Sequence, residues 1–157
     1  MIRLSQRDPR WLNVKIGKSI STIGNYGCLI TARCMIFNKF HPGHWYWPDQ
    51  AAREGVFIGN NMDWVNTKYP GMKFVKRVVG YDPVTVKEWV KKPDFGVVIQ
   101  VLTKSGVHWL AVWDWGIFGK PVCFDPWDKT VIYNPYGLLG KYRSAIGYAV
   151  LEKTCLV

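Results

Sequence analysis

Cys28 has both the chemistry and the setting of a nucleophile. The segment before it, Ile23-Gly24-Asn25-Tyr26-Gly27, predicts a tight turn, and an almost unbroken apolar run begins at Cys28. If that run is a helix, Cys28 lies in its first turn, where unpaired backbone N–H groups and the helix dipole stabilise a thiolate. The thiolate is the nucleophilic form of cysteine. A small buried core residue is an equally good interpretation of this stretch alone, since free cysteine is among the most buried residue types.

A cysteine nucleophile needs a base, and the chain has three histidines. His108 is a lone polar residue at the start of an otherwise apolar stretch, so it is the candidate base. A hydrogen-bonded core histidine or an exposed strand-end residue would also explain it. His41 and His44 flank a Pro-Gly turn, and because no third ligand is evident we interpret both as loop residues. We therefore predict no metal and no cofactor.

An imidazole base needs an acceptor that holds its tautomer, and two aspartates compete for this role. Asp114 lies on the same predicted strand as His108 but six residues along it, on the order of 20 Å away. Asp125 lies on the next predicted strand. A symmetric hairpin with Trp113 opposite Lys120 places His108 directly opposite Asp125, with Cβ atoms about 5 Å apart. Because a proline follows Asp125, turn capping is the alternative role. We favour the orienting role.

The helix that would position Cys28 is predicted over residues 27–39. One stripe of apolar residues at helical spacing runs along it, formed by Leu29, Ala32, Ile36 and Phe40. A second apolar stripe lies beside the first. A helix that is apolar on most of its circumference is buried, so we expect this helix at the centre of the domain. A turn-rich arm over residues 3–21 is expected along the mouth of a cleft.

The remaining pattern predicts an α+β fold. Short helices are predicted over residues 48–54, over a segment that begins at 61 or 63 and ends at 68, and over 83–92. Strands are predicted over residues 72–79, 95–102, 107–113, 121–125 and 145–152. The first strand is expected at a sheet edge, and the continuous apolar run of the second is typical of a strand buried on both faces. Helices thus precede an antiparallel meander, within a single domain over residues 1–157.

The net charge of +10 indicates an anionic partner, such as nucleic acid, an anionic membrane surface or a cell-wall polymer. The basic residues are scattered and form no nucleic-acid-binding motif, so we do not expect nucleic acid as the partner.

No apolar run is long enough to span a bilayer, and the N-terminus has no signal segment. We expect a cytoplasmic protein, or one that is virion-associated or released by lysis. The four cysteines have no paired spacing and are interpreted as reduced thiols.

Four segments occur in an order that resembles a known family. They are Gln6-Arg7-Asp8-Pro9-Arg10-Trp11, Ile23-Gly24-Asn25-Tyr26-Gly27-Cys28-Leu29-Ile30-Thr31, Gly106-Val107-His108-Trp109 and Phe124-Asp125-Pro126-Trp127. Together they are similar to the papain-like cysteine peptidases related to the double-glycine leader peptidases, the bacteriocin-processing type. That group includes stand-alone domains in bacteria and in phage lysins.

The resemblance implies a papain-like fold, in which a buried helix carries the nucleophile and packs on an antiparallel sheet. It assigns Cys28 as the nucleophile and His108 as the general base. It assigns Asp125 as the orienting partner and Gln6 as the oxyanion-hole donor, although a surface glutamine on the arm would also explain Gln6. Arg33 departs from the family pattern, in which small residues are expected.

The implied activity is hydrolysis of a peptide bond in a protein, a leader peptide or the stem peptide of peptidoglycan. The basic charge favours a cell-wall substrate, whereas the absence of a separate wall-binding module in the sequence argues against one. The alternative is a catalytically idle papain-like module that binds a partner or has a structural role in a virion. The sequence contains no feature from which we predict an oligomeric state.

Overall fold

The computed structural model describes residues 2–156 and has one dominant helix. This helix, α2 (Cys28–Phe40), follows the single turn α1 (Ile23–Tyr26) and is succeeded by α3 (Pro48–Glu54). Ten of the 13 residues of α2 are buried. The predicted central helix is therefore confirmed to within one residue at each end. It is buried because a helix that is apolar around most of its circumference must be covered from several sides.

A six-stranded antiparallel sheet forms the second layer. The strands are β3 (Met72–Val79), β4 (Phe95–Leu102), β5 (Val107–Trp115), β6 (Pro121–Phe124), β7 (Val131–Ile132) and β8 (Ser144–Lys153). Their order in the sheet is β3-β8-β4-β5-β6-β7. The edge position predicted for residues 72–79 is confirmed. The α+β class is also confirmed, with a helix packed on an antiparallel sheet.

Each face of the sheet is covered by a different helix. On one face α2 packs against β4 and β5, and on the other α4 (Pro83–Val90) packs against the same two strands. Two hydrophobic clusters result, one between α2 and the sheet and one between α4 and the sheet. A strand covered on both sides cannot alternate between apolar and polar residues, which explains the continuous apolar run of β4.

Two predictions about connections are wrong. Residues 61–68 do not form a helix: a small hairpin of β1 (Phe57–Ile58) and β2 (Asn61–Met62) is followed by a turn. The Asp63 carboxylate accepts hydrogen bonds from the backbone N–H groups of Val65 and Asn66 and so stabilises the turn. The last strand, β8, does not extend the meander but inserts between β3 and β4.

Arg33, which departs from the expected pattern of α2, is buried inside the domain. Its guanidinium group lies over the rings of Tyr46 and Tyr69 and donates a 3.1 Å hydrogen bond to the Tyr46 hydroxyl. That hydroxyl donates in turn to the Glu54 carboxylate at 2.6 Å. The Glu54 carboxylate, linked to Arg33 through the Tyr46 hydroxyl, thus compensates the buried positive charge.

In residues 2–156 no helix is long and apolar enough to cross a membrane.

Candidate active site

Cys28 opens α2 at the wall of a cleft of about 800 Å³. Its side chain is half-buried, and the cleft is also lined by Gln6 and His108. The turn of α1 delivers the chain to this position, where Gly27 is essential because an added Cβ atom would lie 2.5 Å from the Ile23 carbonyl oxygen. The sulfur is therefore at a helix N-terminus and accessible from the cleft.

His108 and Asp125 form a direct hydrogen bond. The Nε2 atom of His108 lies 2.7 Å from Oδ1 of Asp125, and both residues are buried. A carboxylate can only accept, so Nε2 carries a proton and Nδ1 is the ring nitrogen left for Cys28. Burial alone would lower the pKa of His108, but its hydrogen bond with Asp125 and its interaction with Cys28 raise that pKa to about 9. The imidazole thus sits between the thiol and the carboxylate.

The strand register behind this contact differs from the prediction. Cys123 pairs with Val112, two residues further along β5 than predicted, and the ladder has a bulge between Val112 and Asp114. The last pair is Ala111 with Phe124, so Asp125 lies just beyond the ladder rather than opposite His108. For the pairs on the His108 side of the bulge the shift is two residues, which keeps their side chains on the predicted face. For that reason the contact forms in spite of the wrong register.

Asp125 is held by more groups than the sequence indicated. Its Oδ1 atom also accepts a 2.8 Å hydrogen bond from the backbone N–H of Trp127, so the predicted turn-capping role is present as well. Its Oδ2 atom accepts from Lys141 at 2.6 Å and from the Tyr142 hydroxyl at 2.5 Å. Burial acts to raise the pKa of Asp125, but these donors and His108 hold it well below its usual value. The carboxylate is therefore ionised at neutral pH.

Lys141 and Tyr142 are the residues that sequence analysis missed. They precede β8 in a stretch of turns with no hydrophobic period, and only the insertion of β8 into the sheet brings that stretch near β6. A Lys-Tyr pair shortly before the last strand carries no local signal of this contact. Their connection to the site is a property of the topology.

Gln6 lies deep in the cleft wall, 1 % exposed. Its backbone N–H donates to the Pro126 carbonyl at 2.7 Å, which fixes the arm against the loop after β6. Its side-chain Nε2 donates to the Gly24 carbonyl at 2.9 Å. An amide nitrogen carries two protons, so one remains for a ligand in the cleft. The surface-residue interpretation of Gln6 is wrong, because the side chain is buried.

The other candidate residues lie elsewhere. Asp114 is exposed and accepts from the backbone N–H of Trp115, so it does not contact His108. His41 is buried, with Nε2 2.7 Å from the Gly71 carbonyl oxygen. All four cysteines are free thiols. Within residues 2–156 no group of three or more His, Cys, Asp or Glu side chains is arranged to hold a metal ion.

The chain matches no protein-family model, no curated protein and no solved structure. Its chemistry is therefore inferred from the arrangement of its own groups. A thiol at a helix N-terminus, an imidazole beside it and an ionised carboxylate behind the ring are the three parts of a nucleophile–base–orienter system. Such a system can attack an electrophilic carbon and then protonate the group that leaves.

Proposed function

We propose that this protein is a papain-like cysteine peptidase or amidase that hydrolyses a peptide bond. The observation that supports the proposal most strongly is the 2.7 Å contact between His108 and Asp125, with Cys28 next to the same imidazole in an open cleft. A histidine kept only for core packing would have no need of a buried carboxylate on one side and an accessible thiol on the other.

In the proposed reaction the Cys28 thiolate attacks the carbonyl carbon of the scissile bond. The proton that Cys28 has given to His108 then passes from the imidazole to the leaving amine, and an acyl-enzyme remains. Water then attacks the carbonyl carbon of this thioester, and His108 accepts a proton from the water. The bond between the acyl carbon and the Cys28 sulfur breaks, and the carboxylic acid product leaves. Asp125 keeps the ring oriented throughout and stabilises its charged form.

The tetrahedral intermediate carries an oxyanion that requires donors. The free amide proton of Gln6 and the backbone N–H of Cys28 are the candidates, since the first N–H groups of a helix lack intrahelical partners. The cleft volume of about 800 Å³ falls within the range of small-ligand sites and suits a peptide segment. A protein, a leader peptide and the stem peptide of peptidoglycan are the proposed substrate classes.

The test compares wild type, Cys28→Ala and Cys155→Ala on purified peptidoglycan and on a mixed peptide library, with new termini identified by mass spectrometry. Cys155 is exposed and lies outside the site, so its variant is the matched control. We expect new termini with wild type and with Cys155→Ala, and none with Cys28→Ala. Cleavage that survives Cys28→Ala would exclude the mechanism. An idle binding module would give no new termini with any of the three proteins.

A further inference from the structure

The cleft extends from Cys28 onto the face of the sheet. There its lining includes Arg77 of β3, Gln100 of β4 and Trp109 of β5. Between these strands β8 contributes Gly147, which pairs with Gln100. A Cβ atom at Gly147 would lie 3.4 Å from the Gln100 side-chain oxygen and 2.8 Å from the Val78 carbonyl oxygen. A larger residue would therefore collide with the β3 backbone, so glycine is required where β8 passes the Gln100 side chain.

Arg77 lines the cleft and lies over the ring of Trp109. The guanidinium carbon is 5.6 Å from the centroid of the Trp109 ring, within the range of a cation–π contact. The side chain is exposed. Within residues 2–156 the guanidinium group makes no ion pair and no hydrogen bond, unlike that of Arg10, which is paired with Asp8. Its donors are thus free for a ligand.

Apart from the Cys28 thiolate of the proposed reaction, the charged side chains that line the cleft are basic. None of the residues found to line the cleft within the described chain is an aspartate or a glutamate, whereas Arg77 and His108 are both basic. The nearest carboxylate to His108, that of Asp125, is fully buried and bonded to four donors. A cleft with basic groups and no acidic ones concentrates anions.

We propose that Arg77 is a specificity-determining residue that binds a carboxylate of the peptide substrate. Guanidinium and carboxylate groups match in a bidentate geometry, and peptides present such a group either as an acidic side chain or as a free C-terminus. Gln100 lines the same cleft, and its amide is the second donor that we assign to this ligand. This inference rests on the proposed function in taking a peptide as the ligand, and it names the class of peptide.

The test measures binding to the inactive Cys28→Ala protein, so that ligands stay intact. The probes are rhodamine-labelled alanine–glycine decapeptide amides with Glu or Gln at one position in turn, and one such peptide with a free C-terminal carboxylate. Fluorescence anisotropy at fixed ionic strength gives each dissociation constant. We expect an acid-bearing peptide to bind about tenfold more tightly than its amide partner, the effect of one charge-assisted hydrogen-bonded pair. The Glu series and the C-terminal pair separate the two sources of the carboxylate.

Adding Arg77→Gln should abolish the preference, and adding Arg77→Lys should retain part of it. Lys73→Gln is the matched control, since Lys73 is an exposed residue of the same strand that does not line the cleft, and it should leave the preference unchanged. Equal binding of acid and amide peptides, or a preference that survives Arg77→Gln, would overturn the inference. Circular dichroism verifies that each variant is folded.

The readout is binding, so this inference and the proposed activity can fail separately. A preference that depends on Arg77 in a protein whose wild type cleaves nothing would support the carboxylate site and contradict the peptidase. Cleavage by wild type at rates that Arg77→Gln leaves unchanged on acidic and neutral peptides would support the peptidase and contradict the carboxylate site.

Discussion

The ammonium group of Lys141 lies 2.6 Å from Oδ2 of Asp125, on the carboxylate oxygen that His108 leaves free. One buried carboxylate thus connects a cation from the loop before β8 with the imidazole on β5. An isolated charge at such depth would be strongly unfavourable, and the paired arrangement is what makes it tolerable. Lys141 is therefore linked to His108 through the two oxygens of Asp125.

The pKa of His108 should respond to both of its neighbours. Burial lowers this pKa, while Asp125 and Cys28 raise it to about 9. We expect the imidazole signal of His108 to titrate near that value in wild type, and at lower pH in both Cys28→Ala and Asp125→Asn. Two-dimensional NMR of the ring signals measures this, with His108→Gln used for assignment. A midpoint that neither substitution moves would contradict the described contacts.

Folding stability should fall as the pH rises through the titration of His108. The pKa of this group is higher in the folded protein, about 9, than its usual value of 6.5. Its contribution to the free energy of unfolding is therefore complete below pH 6.5 and is lost progressively up to about pH 9. The shift corresponds to about 3 kcal/mol. Urea unfolding of wild type and His108→Gln at both ends of this range measures the contribution; a difference independent of pH would contradict it.

Replacing Lys141 by methionine should weaken the carboxylate cluster. Asp125 would lose one of its charged donors, and we expect the free energy of unfolding at pH 7 to decrease by about 1 kcal/mol, since Lys141 is partly exposed. The pKa of Asp125 is held below its usual value of 3.8, so this contribution is present above that value and is lost in acid. The difference from wild type should therefore shrink as the pH falls below about 4.

Lys153→Met serves as the control for Lys141→Met. Lys153 is an exposed residue at the end of β8 and makes no contact with Asp125. The Lys153→Met substitution removes one positive charge, as Lys141→Met does, so any general effect of net charge appears in both variants. Equal losses of stability in the two variants would show that the pairing with Asp125 contributes nothing.

Removal of the Gln6 amide should affect the chemical step more than substrate binding. If this amide stabilises the oxyanion, Gln6→Ala should lower kcat about 100-fold or more while KM changes little. Steady-state kinetics on a cleaved peptide measure this, with Gln50→Ala on α3 as the control and thermal unfolding to confirm the fold. A kcat within twofold of wild type would exclude Gln6 from the proposed oxyanion hole.

The sequence predicted the elements that carry strong periodicity. The apolar stripes around Ile36 cover most of the helix circumference and locate the helix to within a residue, and the continuous apolar run from Phe95 to Leu102 predicts a strand that is covered on both faces. The contact of His108 with Asp125 was predicted from strand pairing with a register wrong by two residues, and it forms because an even shift preserves the faces.

Features set by long-range packing could not be predicted in this way. The pattern at Asp63 predicts the start of a helix, whereas the structure has a turn, because a helix N-cap and a capped turn use the same hydrogen bonds from backbone N–H groups to a carboxylate. The bulge after Val112 leaves no mark on local composition. The contribution of Lys141 and Tyr142 depends on where β8 enters the sheet, and that position is decided by the whole core.

Alkylation with iodoacetamide measures whether Cys28 is activated by the imidazole that Asp125 holds. Cys155 is an exposed internal reference, while Cys34 and Cys123 are buried, and burial raises the pKa of Cys34 to about 12. Mass spectrometry of tryptic peptides gives the labelling rate of each thiol against pH. We predict that Cys28 reacts faster than Cys155 at neutral pH and loses this advantage in His108→Gln. Labelling of Cys28 no faster than that of Cys155, or unchanged by His108→Gln, would contradict the account.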